Sequence, residues 1–252
     1  MTKTFPLVCR ALFVLLLLAA AAPRPGAAQQ GWRVELGEAQ DPESMNMRRF
    51  FEENRVFAGP QAGLNRWVRM PRPVALHATE CATSDVRWVP ERARLEICYR
   101  LLVRLTGLLN ASDSTAAALT PSFYFFVLHG AAHAIVDELN LPTAAGEERA
   151  ADEVLALMLV PQGGRMSSLL LNGVRTLQRV DEGWSEWEHA RTHELTPERI
   201  ETIACLAYGA NPSAFPEYRR SGLVPAARAS GCAAAYQRVY NGLGQRLARH
   251  MN

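Results

Sequence analysis

Two histidines four residues apart lie in a stretch that is otherwise apolar, residues 123–136. On an α-helix His129 and His133 would share one face, because residues i and i+4 lie one above the other. Glu148 follows fifteen residues after the second histidine, and Asp152 comes four residues later. Two imidazoles and a carboxylate from adjoining helices form a ligand set suited to a zinc ion with an open fourth position.

Three of these four side chains are expected to bind the metal, and the fourth is expected to orient a ligand. His129, His133 and Glu148 are the expected metal ligands, and Asp152 is expected to accept a hydrogen bond from the free ring N–H of a ligand histidine. Imidazoles buried in an apolar helix are costly unless each finds a polar partner, and a metal supplies one. The plainer alternative is two core histidines bonded to carbonyls, with the carboxylates in a solvated first helical turn.

A hydrolytic zinc site also needs a general base beside its first histidine. This sequence has Gly130 at that position, and glycine can neither accept nor donate a proton. Asp137 and Glu138 are the next acids along the helix, but they follow about two turns after His129, too far to replace the base easily. The residues therefore predict metal binding more firmly than hydrolysis.

Two predicted helices position these residues. Thr120 and Pro121 are typical of a helix start, with an N-cap hydroxyl before a proline, and this helix should run to about Leu139. A short connection leads to a second helix over residues 147–160, whose first turn is acidic, as the helix dipole favours. The short turn lets the second helix fold back along the first.

The remaining pattern predicts an α+β fold with a mainly helical body and a small N-terminal β-sheet containing a hairpin. Four stretches favour strands, the last two joined by four residues: 32–36, 74–79, 86–89 and 94–98. Four further stretches favour helices: 43–53, 99–110, 197–208 and 232–249. The stretch 163–188 has a mixed pattern that favours neither.

The N-terminus has the organisation of a secretory signal peptide. Lys3 and Arg10 precede an apolar run over residues 11–22, which is too short to span a bilayer. Small residues then predict cleavage after Ala28, with cleavage after Ala22 and an uncleaved anchor as alternatives.

The mature chain, residues 29–252, has the length of a single domain. The leader holds three basic residues and no acid, so its removal leaves 24 basic and 25 acidic residues and a net charge of −1. Nucleic acid is not an expected partner, because such domains carry a basic patch. No later stretch is long and apolar enough for a stable membrane span. We therefore expect a secreted or periplasmic protein.

Four cysteines remain after the leader is removed, and an even count in an exported protein suggests disulfides. Pairing in sequence order is the simplest of three connectivities, and it joins Cys81 to Cys98 and Cys205 to Cys232. The predicted hairpin brings Cys98 back towards Cys81, which supports the first pair. Free buried thiols are the alternative.

The His-x-x-x-His helix followed by Glu-x-x-x-Asp resembles the gluzincin arrangement of thermolysin-like zinc peptidases. Over residues 75–240 the chain is similar to one uncharacterised bacterial family of zinc metallopeptidases. The similar segments are 80–99, 125–139, 147–152, 205–209 and 223–232, together with His193 and Arg199. The resemblance implies a zincin-like fold, Zn²⁺ as the cofactor and a peptide or protein as substrate or ligand.

The resemblance also assigns a role to His193 and marks where this chain departs from the family. A histidine from a later segment can stabilise the developing oxyanion in gluzincins, which implies this role for His193; the alternative is a surface histidine. The family motif is His-Glu-x-x-His, and Gly130 replaces its glutamate. That glutamate passes a proton from the attacking water to the leaving amine, and loss of such a base costs about 10²–10⁴-fold in rate. Arg100 and Arg149 also lie at positions where members of the family more often have acidic residues.

Three functions remain open at this point. The first is an exported zinc metallopeptidase that hydrolyses peptide bonds, with its base supplied from elsewhere. The second is an inactive zinc-binding pseudopeptidase that acts as a binding module. The third is a structural domain held by disulfides and without a metal.

Overall fold

The structure is a computed structural model that describes residues 31–109, 116–180 and 193–252. The expected signal peptide, residues 1–28, lies outside the described residues, and so does most of the polar connection before the histidine helix.

A four-stranded mixed sheet forms the N-terminal part of the fold. Its strands are β1 (Trp32–Leu36), β2 (Val74–Thr79), β3 (Val86–Val89) and β4 (Arg94–Cys98). They lie in the order β1-β2-β4-β3, with the first three parallel and β3 antiparallel to β4 at one edge. The short helical turn Pro90–Arg92 closes the β3–β4 hairpin. The strand predictions are confirmed.

Helices make up most of the remaining chain. They are α1 (Pro42–Glu53), α2 (Ala58–Trp67), α3 (Tyr99–Leu109), α4 (Leu119–Glu138), α5 (Glu147–Leu159), α6 (Gly164–Val180), α7 (Pro197–Ala210), α8 (Pro216–Arg220) and α9 (Ala226–Val239). A π-helical turn, Tyr240–Gly244, carries α9 on towards the C-terminus. The predicted α+β class, mainly helical with a small N-terminal sheet, is confirmed.

Helix α6 corrects the prediction of a mixed stretch over residues 163–188 as far as Val180; residues 181–188 lie outside the described residues. Its glycines lower the helix propensity, but its leucines and Val174 recur at helical spacing. One side of the helix nevertheless packs in the core, with Leu171, Val174 and Leu177 fully buried. Packing of this face outweighs the weak local preference. The final helix also begins earlier than predicted, at Ala226.

The two predicted helix starts behave differently. Thr196 caps α7, because its side chain accepts a hydrogen bond from the backbone N–H of Arg199. Thr120 does not cap α4, which begins one residue earlier, at Leu119, directly after a 3-10 turn. Pro121 fits inside the first turn of α4 because the N–H groups there have no intrahelical acceptor.

Helix α4 lies at the centre of the fold. It packs against α3, α5, α6 and the β3–β4 hairpin. Among the described residues it is the one helix with the length and hydropathy of a membrane span, which corrects the expectation that no stretch after the leader is long and apolar enough. However, 67% of its most apolar window is buried inside the protein. A helix that is apolar on all sides is expected at the core of a folded domain.

Gly130 lies at the contact between α4 and the hairpin, where the backbone of the helix is close to two hairpin side chains. A Cβ atom at this position would lie 2.6 Å from Val86 Cγ1 and 2.8 Å from Leu95 Cδ1. Val86 and Leu95 are both fully buried. The absence of a side chain at position 130 therefore lets the helix lie directly on the sheet.

Two disulfides join distant parts of the described chain, in sequence order. Cys81 and Cys98 link the end of β2 to the end of β4, and Cys205 and Cys232 link α7 to α9. Disulfides form and persist in oxidising compartments, so they indicate an extracytoplasmic location.

We predict that Gly130→Ala destabilises the protein whereas Gly63→Ala does not. Overpacking against Val86 and Leu95 should cost about 1–3 kcal/mol, more than the gain of about 1 kcal/mol from replacing a helical glycine. Gly63 is the matched control, because it lies inside α2 with no atom within 4 Å of an added Cβ. Urea unfolding of both variants measures the difference. Equal stabilisation of the two would contradict the close contact at Gly130.

Candidate metal centre

Four side chains from three parts of the chain converge beside the middle of α4. His129 and His133 project from α4, Glu148 lies in the first turn of α5, and His193 precedes α7. Each offers one ligand atom, and these atoms all lie within 4.8 Å of one another. His129 is fully buried and the other three are partly buried. Among the described residues this is the one such group of histidine, cysteine and acidic side chains.

The separations within the cluster have the size that a metal ion requires. His129 Nε2 lies 3.2 Å from His133 Nε2 and 3.3 Å from Glu148 Oε2. His133 Nε2 lies 3.2 Å from Glu148 Oε1. Bonds of about 2.0–2.1 Å to a tetrahedral zinc ion put neighbouring ligand atoms ~3.3 Å apart. The cluster can therefore hold a metal ion.

A partly buried guanidinium holds the carboxylate side of the cluster. Arg199 donates to both oxygens of Asp152, from Nε at 2.7 Å and from Nη2 at 2.8 Å. It also donates from Nη2 to Glu148 Oε2 at 3.0 Å, and from Nη1 to the backbone carbonyl of His193. Asp152 Oδ1 lies 3.6 Å from Nδ1 of His129, so its principal partner is the arginine.

The protonation states suit metal ligation. Burial would raise the pKa of Glu148, but hydrogen bonds from the three histidines outweigh burial and hold its pKa well below the usual value. Complete burial holds the pKa of His129 well below its usual value. Glu148 is therefore charged and His129 neutral near pH 7, which are the forms that bind a metal. Burial raises the pKa of Asp152 to about 6, against the opposing effect of Arg199.

The structure also shows what surrounds the position of the missing base. The side chains of Val86 and Leu95 fill the space that a residue at position 130 would need. Asp137 accepts a hydrogen bond from Trp88 Nε1 at 2.8 Å. Glu138 is bound by Arg72 in a two-point contact, with both its oxygens 2.9 Å from the arginine Nε.

A cavity of about 470 Å³ opens beside the cluster. His133, Glu148 and His193 form the wall nearest the candidate metal position. The edge strand β3 contributes Arg87 and Trp88 to another wall. The volume is within the range of ligand-binding clefts, about 300–1,000 Å³.

Sequence reasoning found most of this arrangement but missed the role of Arg199. The sequence placed this arginine in the first turn of α7, and nothing in its spacing showed that the guanidinium reaches α5. His193 was expected to face a substrate oxyanion, and it lies with Nδ1 2.9 Å from Glu148 Oε1. Arg100 and Arg149, the other departures from the family pattern, pair with Asp41 and Glu153 outside the cluster.

The fold and the cluster together have the features of a metallopeptidase: a core helix with His-x-x-x-His, a carboxylate from the next helix and a cleft bordered by an edge strand. The profile of the DUF4344 family, described as "Putative metallopeptidase", matches residues 37–245. The chain belongs to this family. No curated protein and no solved structure matches it.

We predict that Arg199→Met is strongly destabilising and that Asp152→Leu added to it restores part of the loss. The single change leaves a buried carboxylate without its cation, which costs about 3–5 kcal/mol, whereas removal of both charges avoids that penalty. Urea unfolding in the presence of a chelator measures this without any contribution from a metal. A double variant that is no more stable than Arg199→Met would show that the ion pair is not the reason.

Proposed function

We propose that this protein is an extracytoplasmic pseudopeptidase, which holds zinc through His129, His133 and Glu148 and binds peptides without cleaving them. The observation that carries the proposal is the packing at Gly130. The position that supplies the general base in the family motif has no side chain here, and buried apolar groups of the hairpin fill the adjoining space.

Zinc is the metal that the ligand chemistry favours. Imidazole nitrogens and a carboxylate oxygen at these separations suit Zn²⁺, although similar sets also accept manganese, iron and cobalt. When bound, such an ion supplies Lewis acidity. The chain's own contribution is to fix the ligands: Arg199 orients Glu148 and Asp152, and Asp152 lies beside the imidazole of His129.

Hydrolysis needs a proton acceptor close to the attacking water. The next acids along α4 have other partners: Asp137 Oδ2 accepts a hydrogen bond from the Trp88 indole, and both oxygens of Glu138 contact Arg72. Loss of a general base typically lowers a rate by about 10²–10⁴-fold. This argument favours the inactive alternative over the active metallopeptidase.

The cavity and the edge strand beside the cluster support peptide binding, which is one part of the activity that the family implies. The family implies peptide substrates, and the cavity beside the cluster is bordered by β3, an edge strand with one side unpaired among the described strands. Exposed edges bind extended peptides by main-chain hydrogen bonds, and neighbouring pockets select side chains.

The metal part of the proposal predicts one equivalent of zinc per chain. Zinc should be lost in His133→Ala, which removes one ligand, and kept in His250→Ala, which changes a histidine near the C-terminus. Elemental analysis of the purified mature proteins after dialysis measures the stoichiometry. Wild-type protein without zinc, or equal zinc in both variants, would rule out this site.

The functional part predicts that peptides are retained but not cleaved. A mixture of synthetic peptides is incubated with zinc-loaded protein, and mass spectrometry identifies those that co-elute and any fragments. We expect intact bound peptides, fewer of them in Thr143→Trp, which fills the cavity, and no fragments beyond those seen with His133→Ala. Cleavage that a chelator abolishes and that is absent in His133→Ala would overturn the proposal in favour of an active peptidase.

A further inference from the structure

His193 contacts the cluster through a nitrogen that faces the candidate metal position. Its Nδ1 lies 2.9 Å from Glu148 Oε1, which is similar to the separations among the other three ligand atoms. Its ring centroid lies 5.4 Å from that of His129 and 5.1 Å from that of His133. The three imidazoles therefore surround the same carboxylate.

The orientation of this ring suits a metal ligand. An oxyanion donor directs an N–H at a substrate oxygen, about 2.7–3.1 Å away. In the structure Nδ1 instead points at Glu148 Oε1, a candidate ligand atom, at 2.9 Å. A neutral imidazole with its proton on Nε2 has a free lone pair on Nδ1, which is the form that binds a metal.

The backbone from His193 onwards is held by contacts with the described residues. Arg199 donates to the carbonyl of His193, and Leu195 is buried in the core. Thr196 then caps α7 through its side chain. A residue held by its backbone next to three ligand groups is positioned as they are, before any ion binds.

From this geometry we propose that His193 is the fourth protein ligand, so that the bound metal is enclosed by three imidazoles and one carboxylate. The proposal rests on the zinc site proposed above and changes its character. Structural zinc sites have four protein ligands, whereas catalytic sites keep one position open. The metal here joins α4, α5 and the start of α7, and peptide binds in the cavity without touching it.

The test uses the intact mature protein and does not depend on catalysis. X-ray absorption at the zinc edge should show three imidazoles in the wild type and two in His193→Ala. In cobalt-substituted protein, added imidazole should leave the visible spectrum of the wild type unchanged and alter that of His193→Ala, whose position is open. His250→Ala is the matched control and should behave as wild type. Zinc affinity in His193→Ala should fall by more than about 100-fold, beyond the loss caused by removing a hydrogen-bond partner of a ligand.

The outcomes distinguish the proposal of His193 as the fourth ligand from the proposal of a zinc site formed by His129, His133 and Glu148. A wild-type site with two imidazoles, or a cobalt spectrum that responds to added imidazole, overturns the fourth ligand and leaves the three-residue zinc site intact. Wild-type protein that binds no metal overturns both. The two wild-type measurements decide the question even where His193→Ala does not fold.

Discussion

The contact between α4 and the β3–β4 hairpin determines both the core and the candidate site. Gly130 lets the helix approach until Val86 and Leu95 occupy the space of a missing side chain. Successive residues of an α-helix project about 100° apart, so a helix that turns position 130 onto the sheet must turn position 129 elsewhere. The histidines consequently face α5. The packing of Gly130 against the hairpin therefore leaves no room for a base at this position and also turns the two histidines towards α5.

Electrostatics explain how so polar a cluster can exist inside an apolar core. Glu148 receives hydrogen bonds from three imidazoles and a guanidinium, which outweigh the cost of its burial. Arg199 also balances Asp152, so two carboxylates and one cation leave one net negative charge when the imidazoles are neutral. A divalent ion would reverse that charge and replace the contacts between the rings. The cluster is thus ordered before it binds, which lowers the cost of binding.

Local patterns in the sequence predicted a large part of this arrangement, because they depend on neighbouring residues. The four-residue spacing of His129 and His133 placed both on one helix face, and Thr196 identified the start of α7. Features that depend on distant residues were not predictable. Nothing near Arg199 indicates that it reaches Asp152. The apolar side of α6, in contrast, follows a local helical spacing and could have been recognised. Gly130 was recognised as a missing base, but not as a site of close packing.

The close packing at Gly130 changes the expected effect of restoring a glutamate at this position. From sequence alone, a glycine in place of a glutamate suggests that one substitution would restore the base. In the structure an added Cβ would lie within 3 Å of the buried side chains of Val86 and Leu95, so a glutamate at this position must displace them. The polar groups of the cluster, in contrast, remain complete and mutually bonded. Buried polar groups are stable when they have polar partners. The filled space at Gly130 and the ordered ligand groups beside it together support the proposal of a site that holds an ion rather than one that activates water.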